Sequence, residues 1–260
     1  NPGGQINMIT RSPRRKDMFG IIDWRIEQCK KFDVKINYNN LATKEIILSN
    51  KPDIIIIATG GVPNTQNLDE GSDLASSSWD IISGNINIQD EVVLYDDNGA
   101  FVGLQTAEII AKKGSKLKII TPERFFSPEV GGMNYVPYAK TFIENNVQVI
   151  IDKRIKKIKK RDNRLMVSIG SDYSNKLEKL ETSQVIIEYG TLPLDDLYFE
   201  LKANSYNLGA IDYNALIKNE FIELKNNPNG QYLLYRVGDA ISSRNIHAAI
   251  YDSLRICNNL

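Results

Sequence analysis

The segment Asp53–Gly61, D-I-I-I-I-A-T-G-G, constrains the fold more than any other part of the chain. It is a short, wholly apolar run that ends abruptly in small residues. A run of this length suits a strand buried on both faces, as in a parallel sheet flanked by helices. Ala58, Thr59, Gly60 and Gly61 then allow close approach to the carboxyl end of the strand, the edge at which nucleotides sit in open α/β sheets. A second segment of the same kind, Tyr232–Ala240, Y-L-L-Y-R-V-G-D-A, ends in Gly238 and the carboxylate of Asp239.

The bulk properties narrow the field. Lys and Arg number 32 against 32 Asp and Glu, so no broad electrostatic footprint for nucleic acid or an anionic membrane is expected. No apolar run approaches the roughly 18 residues that span a bilayer. Cys29 and Cys257 are far apart and form no C-x-x-C, and they read as reduced thiols of a cytoplasmic protein. The opening Asn1-Pro2-Gly3-Gly4-Gln5 reads as an internal loop, so the chain is expected to be a fragment of something longer.

Periodicity predicts one βαβ logic used twice. A helix with an apolar face is expected over Asp17–Lys31, followed by a short strand carrying Val34, Ile36 and Tyr38. After the strand at Ile54–Ala58, Val62–Ser78 reads as a loop and Trp79–Ile82 as a short helix. Glu91–Tyr95, a tight turn Asp96–Gly103, a helix Leu104–Lys113 and a strand Lys116–Thr121 form a βαβ unit. A helix is expected at Met133–Asn146 and a strand at Val147–Ile151. A hairpin follows from Ile155–Lys160 and Leu165–Ile169, then a strand at Gln184–Glu188 and a helix at Leu194–Ala203. The final helix, Asn245–Cys257, is expected to turn Ile246, Ala249, Ile250, Leu254 and Cys257 inward.

Gly99 and Gly103 stand where a Rossmann glycine loop belongs, between strand and helix. Glycine there allows a pyrophosphate to reach a helix N-terminus. The pattern is D-D-N-G-x-x-x-G, however, and Asp96 and Asp97 occupy the place of the first glycine, where carboxylates repel a pyrophosphate. Two readings stay open: a dinucleotide turn, or a degenerate one that binds none. The basic run Lys153–Arg161 reads as the solvated face of a hairpin rather than a nucleic-acid site. His247, the only histidine, reads as structural or surface, and Arg124 is a weak candidate for reading a 2′-phosphate. Asp239 reads as an acceptor for sugar or ribityl hydroxyls, as the N-cap of the following helix, or as both. No catalytic residue and no metal site is read from the sequence.

Seven pieces then follow in order: G-G-Q at Gly3–Gln5, F-x-x-I-x-W at Phe19–Trp24, A-T-G-G at Ala58–Gly61, D-D-x-G-x-x-x-G at Asp96–Gly103, G-T-L-P-L-D-D-L-Y at Gly190–Tyr198, V-G-D-A at Val237–Ala240, and R-x-I-x-x-A-I-Y-D at Arg244–Asp252. Together they resemble the C-terminal nucleotide-binding region of the 2,4-dienoyl-CoA reductase and trimethylamine dehydrogenase family. The resemblance implies an α/β fold of two Rossmann-like three-layer domains, built like glutathione reductase, with the second inserted in the first. It sets an FAD- or ADP-binding-like domain at residues 1–89 and 196–260 and an NAD(P)-binding-like domain at 90–195. Gly3, Gly4, Gln5, Thr59, Gly60, Gly238 and Asp239 would lie near FAD or ADP, and Gly99 and Gly103 at the NAD(P)-like turn.

The same resemblance implies that FMN and an iron–sulfur cluster belong to an N-terminal part of the polypeptide, an FMN barrel onto which this region docks. An electron-transfer protein and further copies of the chain are implied partners. The first glycine loop of the family is not in this chain, and the usual T-G-R before the proline is Glu188-Tyr189-Gly190. With Asp96 and Asp97, this departure points toward the amine dehydrogenase and N-demethylase branch. The alternatives are a dienoyl-CoA-type reductase domain that takes electrons from NAD(P)H, and a non-catalytic ADP-binding or assembly module.

Overall fold

A computed structural model describes residues 2–68, 70–220, 224 and 226–260. Asn1, the first residue of the expected opening loop, lies outside them. In chain order they form α1 (Gln5–Ile9), α2 (Gly20–Lys31), α3 (Lys44–Ser49), β1 (Ile54–Ile57), β2 (Gly61–Pro63), β3 (Ser76–Ser77), α4 (Ser78–Ser83), β4 (Glu91–Asp96), α5 (Phe101–Lys112), β5 (Lys116–Ile120), α6 (Gly132–Glu144), β6 (Gln148–Ile150), β7 (Arg154–Arg161), β8 (Arg164–Gly170), β9 (Leu177–Thr182), β10 (Gln184–Glu188), β11 (Thr191–Pro193), α7 (Asp196–Lys202), α8 (Tyr213–Lys218), β12 (Leu233–Arg236) and α9 (Ile246–Asn258). 3-10 helical segments stand at Pro13–Phe19, Ser72–Leu74 and Gly238–Ala240.

The fold is α/β, with two Rossmann-like units. Residues 1–35 and 63–190 form one unit, and residues 36–62 and 191–260 the other. This grouping differs from the expected boundaries because residues 63–89 join the central sheet: β3 pairs with β10, and Ile81 of α4 enters the core beneath that sheet. Residues 1–35 join the same unit, where the Gln105 side chain donates to the Ile9 carbonyl at 2.8 Å.

The first unit is built on a parallel sheet in the order β3-β10-β4-β5-β6. Its central strands alternate between two cores. Val92 and Leu94 of β4 face Leu104, Ala107 and Ile110 of α5, while Val93 and Tyr95 face Ile155, Val167 and Ile169 of the antiparallel sheet β7-β8-β9. Burial on both faces explains why these strands read as continuous apolar runs. Leu94, Leu104, Ile110 and Ile119 are wholly buried, each contributing on the order of 1.5–3 kcal/mol. Helix α4 is set by a capping box: Ser77 Oγ accepts from the Trp79 N–H at 2.9 Å, and Asp80 accepts from the Ser77 N–H at 3.0 Å. Helix α5 runs to Lys112, and Gly114, at φ 88°, turns the chain out of it.

Glu108 on α5 is a buried acid, with a side chain 3% exposed. Arg14 donates to it, Lys112 pairs with it at 2.8 Å and Thr141 Oγ1 donates at 3.4 Å. Burial acts to raise its pKa, but the hydrogen bonds and charges of Arg14 and Lys112 outweigh burial and hold it below the ordinary range. A depressed carboxylate contributes stability that is present above the unfolded pKa and lost as pH falls through the folded one. Glu108→Ala is therefore expected to lower stability by about 1–3 kcal/mol at neutral pH. The gap to wild type should narrow below about pH 4. Urea unfolding at the two pH values measures both quantities, and a gap of the same size at both would contradict the ion-pair account.

In the second unit β1 and β12 form a parallel pair, with Ile54–Ile57 in register with Leu233–Arg236. Ile55, Ile57 and Leu234 pack with Tyr198 and Leu201 on one face, and Tyr235 and Val237 with Ile256 on the other. Strands β2 and β11 form a further two-stranded sheet.

Several expectations are corrected. Val34, Ile36 and Tyr38 form no strand: all three are exposed, and alternation without a neighbouring strand has no ladder to join. Within Val62–Ser78, read as a loop, lie β2, β3 and a 3-10 turn. The strand expected to end in Gly238 stops two residues earlier, at Arg236, and Gly238 takes φ 62° and turns the chain. Helix α5 begins at Phe101 rather than Leu104, so Gly103 lies inside a helix and not in a turn. Gln5, placed in the opening loop, is the first residue of α1. Helix α9 is rotated from the expected face: Ile256 is buried, whereas Ile250, Leu254 and Cys257 are exposed.

Candidate nucleotide site

The two strand endings singled out by sequence leave neighbouring strands in the same direction. Ile57 of β1 pairs with Arg236 of β12, and the Val237 N–H donates to the Ile57 carbonyl at 3.0 Å. Thr59 and Gly60 therefore follow one strand where Gly238 and Asp239 follow its partner. Thr59 is exposed and its hydroxyl donates to the Leu194 carbonyl. Gly60 takes φ 74°, and its carbonyl accepts from the Leu194 N–H at 3.0 Å. At Gly61 an added Cβ would stand 2.7 Å from the Leu192 carbonyl oxygen, so β11 rather than a ligand demands that glycine.

Asp239 is half-buried. Its carboxylate accepts from Thr191 Oγ1 at 3.2 Å and from the Arg244 N–H at 3.2 Å. It is not the N-cap of α9. Asn245 holds that position and accepts from the Ala248 N–H at 2.9 Å. The N-cap role falls away because the 3-10 turn ends at Ala240, several residues before the helix begins.

Gly3, Gly4 and Gln5 fall in the first unit, with Gly99 and Gly103. A Cβ on Gly3, which takes φ 111°, would stand 2.3 Å from Ile22 Cδ1, so packing against α2 explains that glycine. Gly4 is the N-cap residue of α1.

Around Gly99 the structure differs from the expected repulsive surface. Asp96 is wholly buried. Its Oδ1 accepts from the N–H groups of Asn98 and Gly99, each at 3.0 Å, while Oδ2 has no hydrogen-bond partner among the described residues. An added Cβ on Gly103 would stand 2.2 Å from Asp96 Oδ2 and 2.6 Å from Cγ. The carboxylate thus fills the space that the glycine opens at the start of α5. Gly99 takes φ 68°, and Pro128 stands 2.8 Å from where its Cβ would be. Asp97 turns the other way and pairs with Arg154 of β7.

Beside Asp96, its register partner Glu188 on β10 is also buried. Glu188 accepts from Ser78 Oγ, from Asn98 Nδ2 at 3.1 Å and from the Gly190 N–H at 2.8 Å. Burial pushes the Asp96 pKa up to about 7, reinforced by the charge of Glu188. Burial also raises Glu188. A neighbouring negative charge in a buried site favours the protonated form of Asp96. In the sequence Glu188 stands out as the end of an expected strand and as a departure from T-G-R. Ser78 and Asn98 carried no signal of their own.

The remaining candidates lie as follows. In the basic run, Ile155 and Ile158 are buried, while Lys153, Arg154, Lys156 and Lys159 pair with Glu178, Asp172 and Glu70. His247 lies exposed on α9. Cys29 and Cys257 are free thiols. Among the described residues no group of His, Cys, Asp and Glu could hold a metal ion, and no helix is long and apolar enough to cross a membrane.

No family model matches the chain. A probable N-methylproline demethylase of Rhizobium meliloti is 43% identical over 260 residues, which cover 100% of this chain and 38% of that protein. An N,N-dimethylglycine/sarcosine dehydrogenase of Chromohalobacter salexigens is 31% identical over 268 residues, covering 99% of this chain and 39% of that protein. This chain therefore spans about two fifths of the length of these curated relatives, on their C-terminal side. In fold, histamine dehydrogenase from Rhizobium sp. 4-9 superimposes with a TM-score of 0.78 at 18% identity, over 100% of this chain and 39% of that one. With the ordered motifs and the paired strand endings, these likenesses show that the chain belongs to the 2,4-dienoyl-CoA reductase and trimethylamine dehydrogenase family, as part of its C-terminal region.

Proposed function

We propose that this chain is the adenine-nucleotide-binding part of a flavin-dependent oxidoreductase of the amine dehydrogenase and N-demethylase kind. The observation that carries the reading is the parallel pairing of β1 with β12, which sets Thr59 and Gly60 beside Gly238 and Asp239. The donor set suits the ligand: a half-buried carboxylate accepts from ribose or ribityl hydroxyls, and residues without bulk admit the nucleotide backbone. FAD, when bound, supplies two-electron redox chemistry, and ADP supplies none. The chain's own residues bind and orient, and we assign no catalytic residue among them.

The names of the relatives support an N-methyl amine substrate class. FMN and an iron–sulfur cluster in the rest of the polypeptide enter the reading through the family resemblance alone. The residues at Gly99 and Gly103 do not suit NAD(P), since Asp96 occupies the space that Gly103 opens. The expected domains map onto the two units with altered boundaries, so Gly3–Gln5 belong to the proposal only through the family resemblance. An open groove of about 520 Å³ along β1, lined by Pro52, Ile54 and Leu197 among others, suits a further strand of the longer polypeptide. Two parallel strands alone make a marginal sheet. A cytoplasmic location, docking on an FMN barrel, an electron-transfer protein partner and a homo-oligomeric state complete the reading.

The test is chemical. Full-length protein is denatured and the released nucleotide identified by mass spectrometry. FAD or ADP is expected at close to one per chain. Asp239→Ala should weaken binding by about tenfold or more, the effect of one lost charged hydrogen bond, and so lower the amount retained through purification. Wild-type protein that releases no adenine nucleotide, or an Asp239→Ala protein that retains it fully, would overturn the proposal.

A further inference from the structure

Gly238 precedes Asp239, takes φ 62° and is buried. One ion pair reaches both of its backbone polar groups, and its carbonyl also accepts from the Ile241 N–H at 2.9 Å. Its N–H donates to Asp252 Oδ2 at 3.0 Å, and its carbonyl accepts from Arg244 Nη2 at 3.4 Å. Arg244 and Asp252 meet in a two-pronged contact, Nη2 to Oδ2 and Nη1 to Oδ1, the latter at 3.3 Å. The backbone N–H of Arg244 in turn donates to Asp239 Oδ1 at 3.2 Å. Asp252 lies on α9, so the clamp ties the strand ending to that helix.

Energy alone does not account for this arrangement. The side chains of Arg244 and Asp252 are 34% and 19% exposed, and a pair so placed is worth little to stability. What the pair sets is direction. A glycine in the left-handed region has many other conformations open to it. Gripping its N–H and its carbonyl together restricts that freedom, and with it the direction of the next side chain.

We propose that Arg244 and Asp252 are positioning residues of the nucleotide site, fixing the direction of Asp239 by clamping Gly238. This rests on the reading that Asp239 meets an adenine nucleotide. Asp252 acts only through Asp239, so its effect on binding vanishes when Asp239 is already gone.

The experiment uses the full-length protein freed of any nucleotide it carries, with ADP as the probe in calorimetric titration. Asp252→Ala is expected to weaken ADP by about tenfold. Asp252→Asn, which keeps an acceptor for the Gly238 N–H, should recover most of that loss. Asp239→Ala and the Asp239→Ala/Asp252→Ala double variant should bind ADP equally weakly, a non-additivity that a general loss of structure would not produce. Hydrogen exchange at the Gly238 amide should quicken in Asp252→Ala. Unchanged ADP affinity in Asp252→Ala beside a weakened Asp239→Ala overturns the positioning role alone, as does full additivity in the double variant. Wild-type protein that binds no ADP overturns the nucleotide reading and this proposal with it.

Discussion

Gly103→Ala is expected to lower stability by on the order of 3 kcal/mol, the upper part of the range for overpacking a filled core. The new Cβ would stand 2.2 Å from Asp96 Oδ2, closer than any real contact allows. The carboxylate has little freedom to retreat, because Oδ1 is held by the N–H groups of Asn98 and Gly99. In an Asp96→Gly background the obstacle is gone, and the sign should reverse. Alanine inside a helix is better than glycine by roughly 0.5–1 kcal/mol, so there the same change becomes mildly stabilising. Urea unfolding of the four proteins forms a double-mutant cycle with a coupling energy of about 4 kcal/mol. Equal costs in both backgrounds would mean that Asp96 is not what Gly103 accommodates.

Asp96→Asn is expected to make the protein more stable than wild type above pH 7. The folded pKa of Asp96 is raised to about 7 by burial and by the neighbouring Glu188 charge, against an ordinary value of 3.8. A raised acid contributes stability that is fully present below the unfolded pKa and is lost as pH climbs through the folded one. The loss therefore runs from about pH 4 to about pH 7 and amounts to roughly 4 kcal/mol. Asparagine keeps the oxygen that accepts from Asn98 and Gly99 and removes the ionisation. The groups facing the pair are accounted for: Asp97 is paired with Arg154, and Glu188 is itself raised by burial. Carboxylates held low by partners, such as Glu108, bend the absolute curve the opposite way, so the difference between wild type and variant is the quantity to follow. That difference, from denaturant unfolding between pH 5 and pH 8, should grow with pH. A constant difference would contradict the buried, proton-holding carboxylate. Adding Glu188→Gln removes a second raised acid, so the difference from wild type should grow more steeply with pH.

The short apolar runs that became β1, β4, β5 and β10 were legible because strands buried on both faces contain little else. Helix α5 was legible from its periodicity and from Gly114 at its end. The strand expected around Ile36 failed because alternation describes a surface, and no neighbouring strand supplies the other half of the ladder. In α9 the apolar residues allow two faces, and packing on Tyr235 and Val237 selects the one carrying Ile256.

Sequence by itself determined the layered α/β class, the two glycine-ended strands and the residue types at their tips, since local patterns of bulk and turn chemistry decide these. Only the tertiary structure decided that Ile57 and Arg236, far apart in the chain, are paired neighbours, because strand pairing is a long-range choice. It alone decided that Asp96 lies buried against Gly103 while Asp97 reaches Arg154. Successive strand residues point to opposite faces, and which face is closed depends on what packs there.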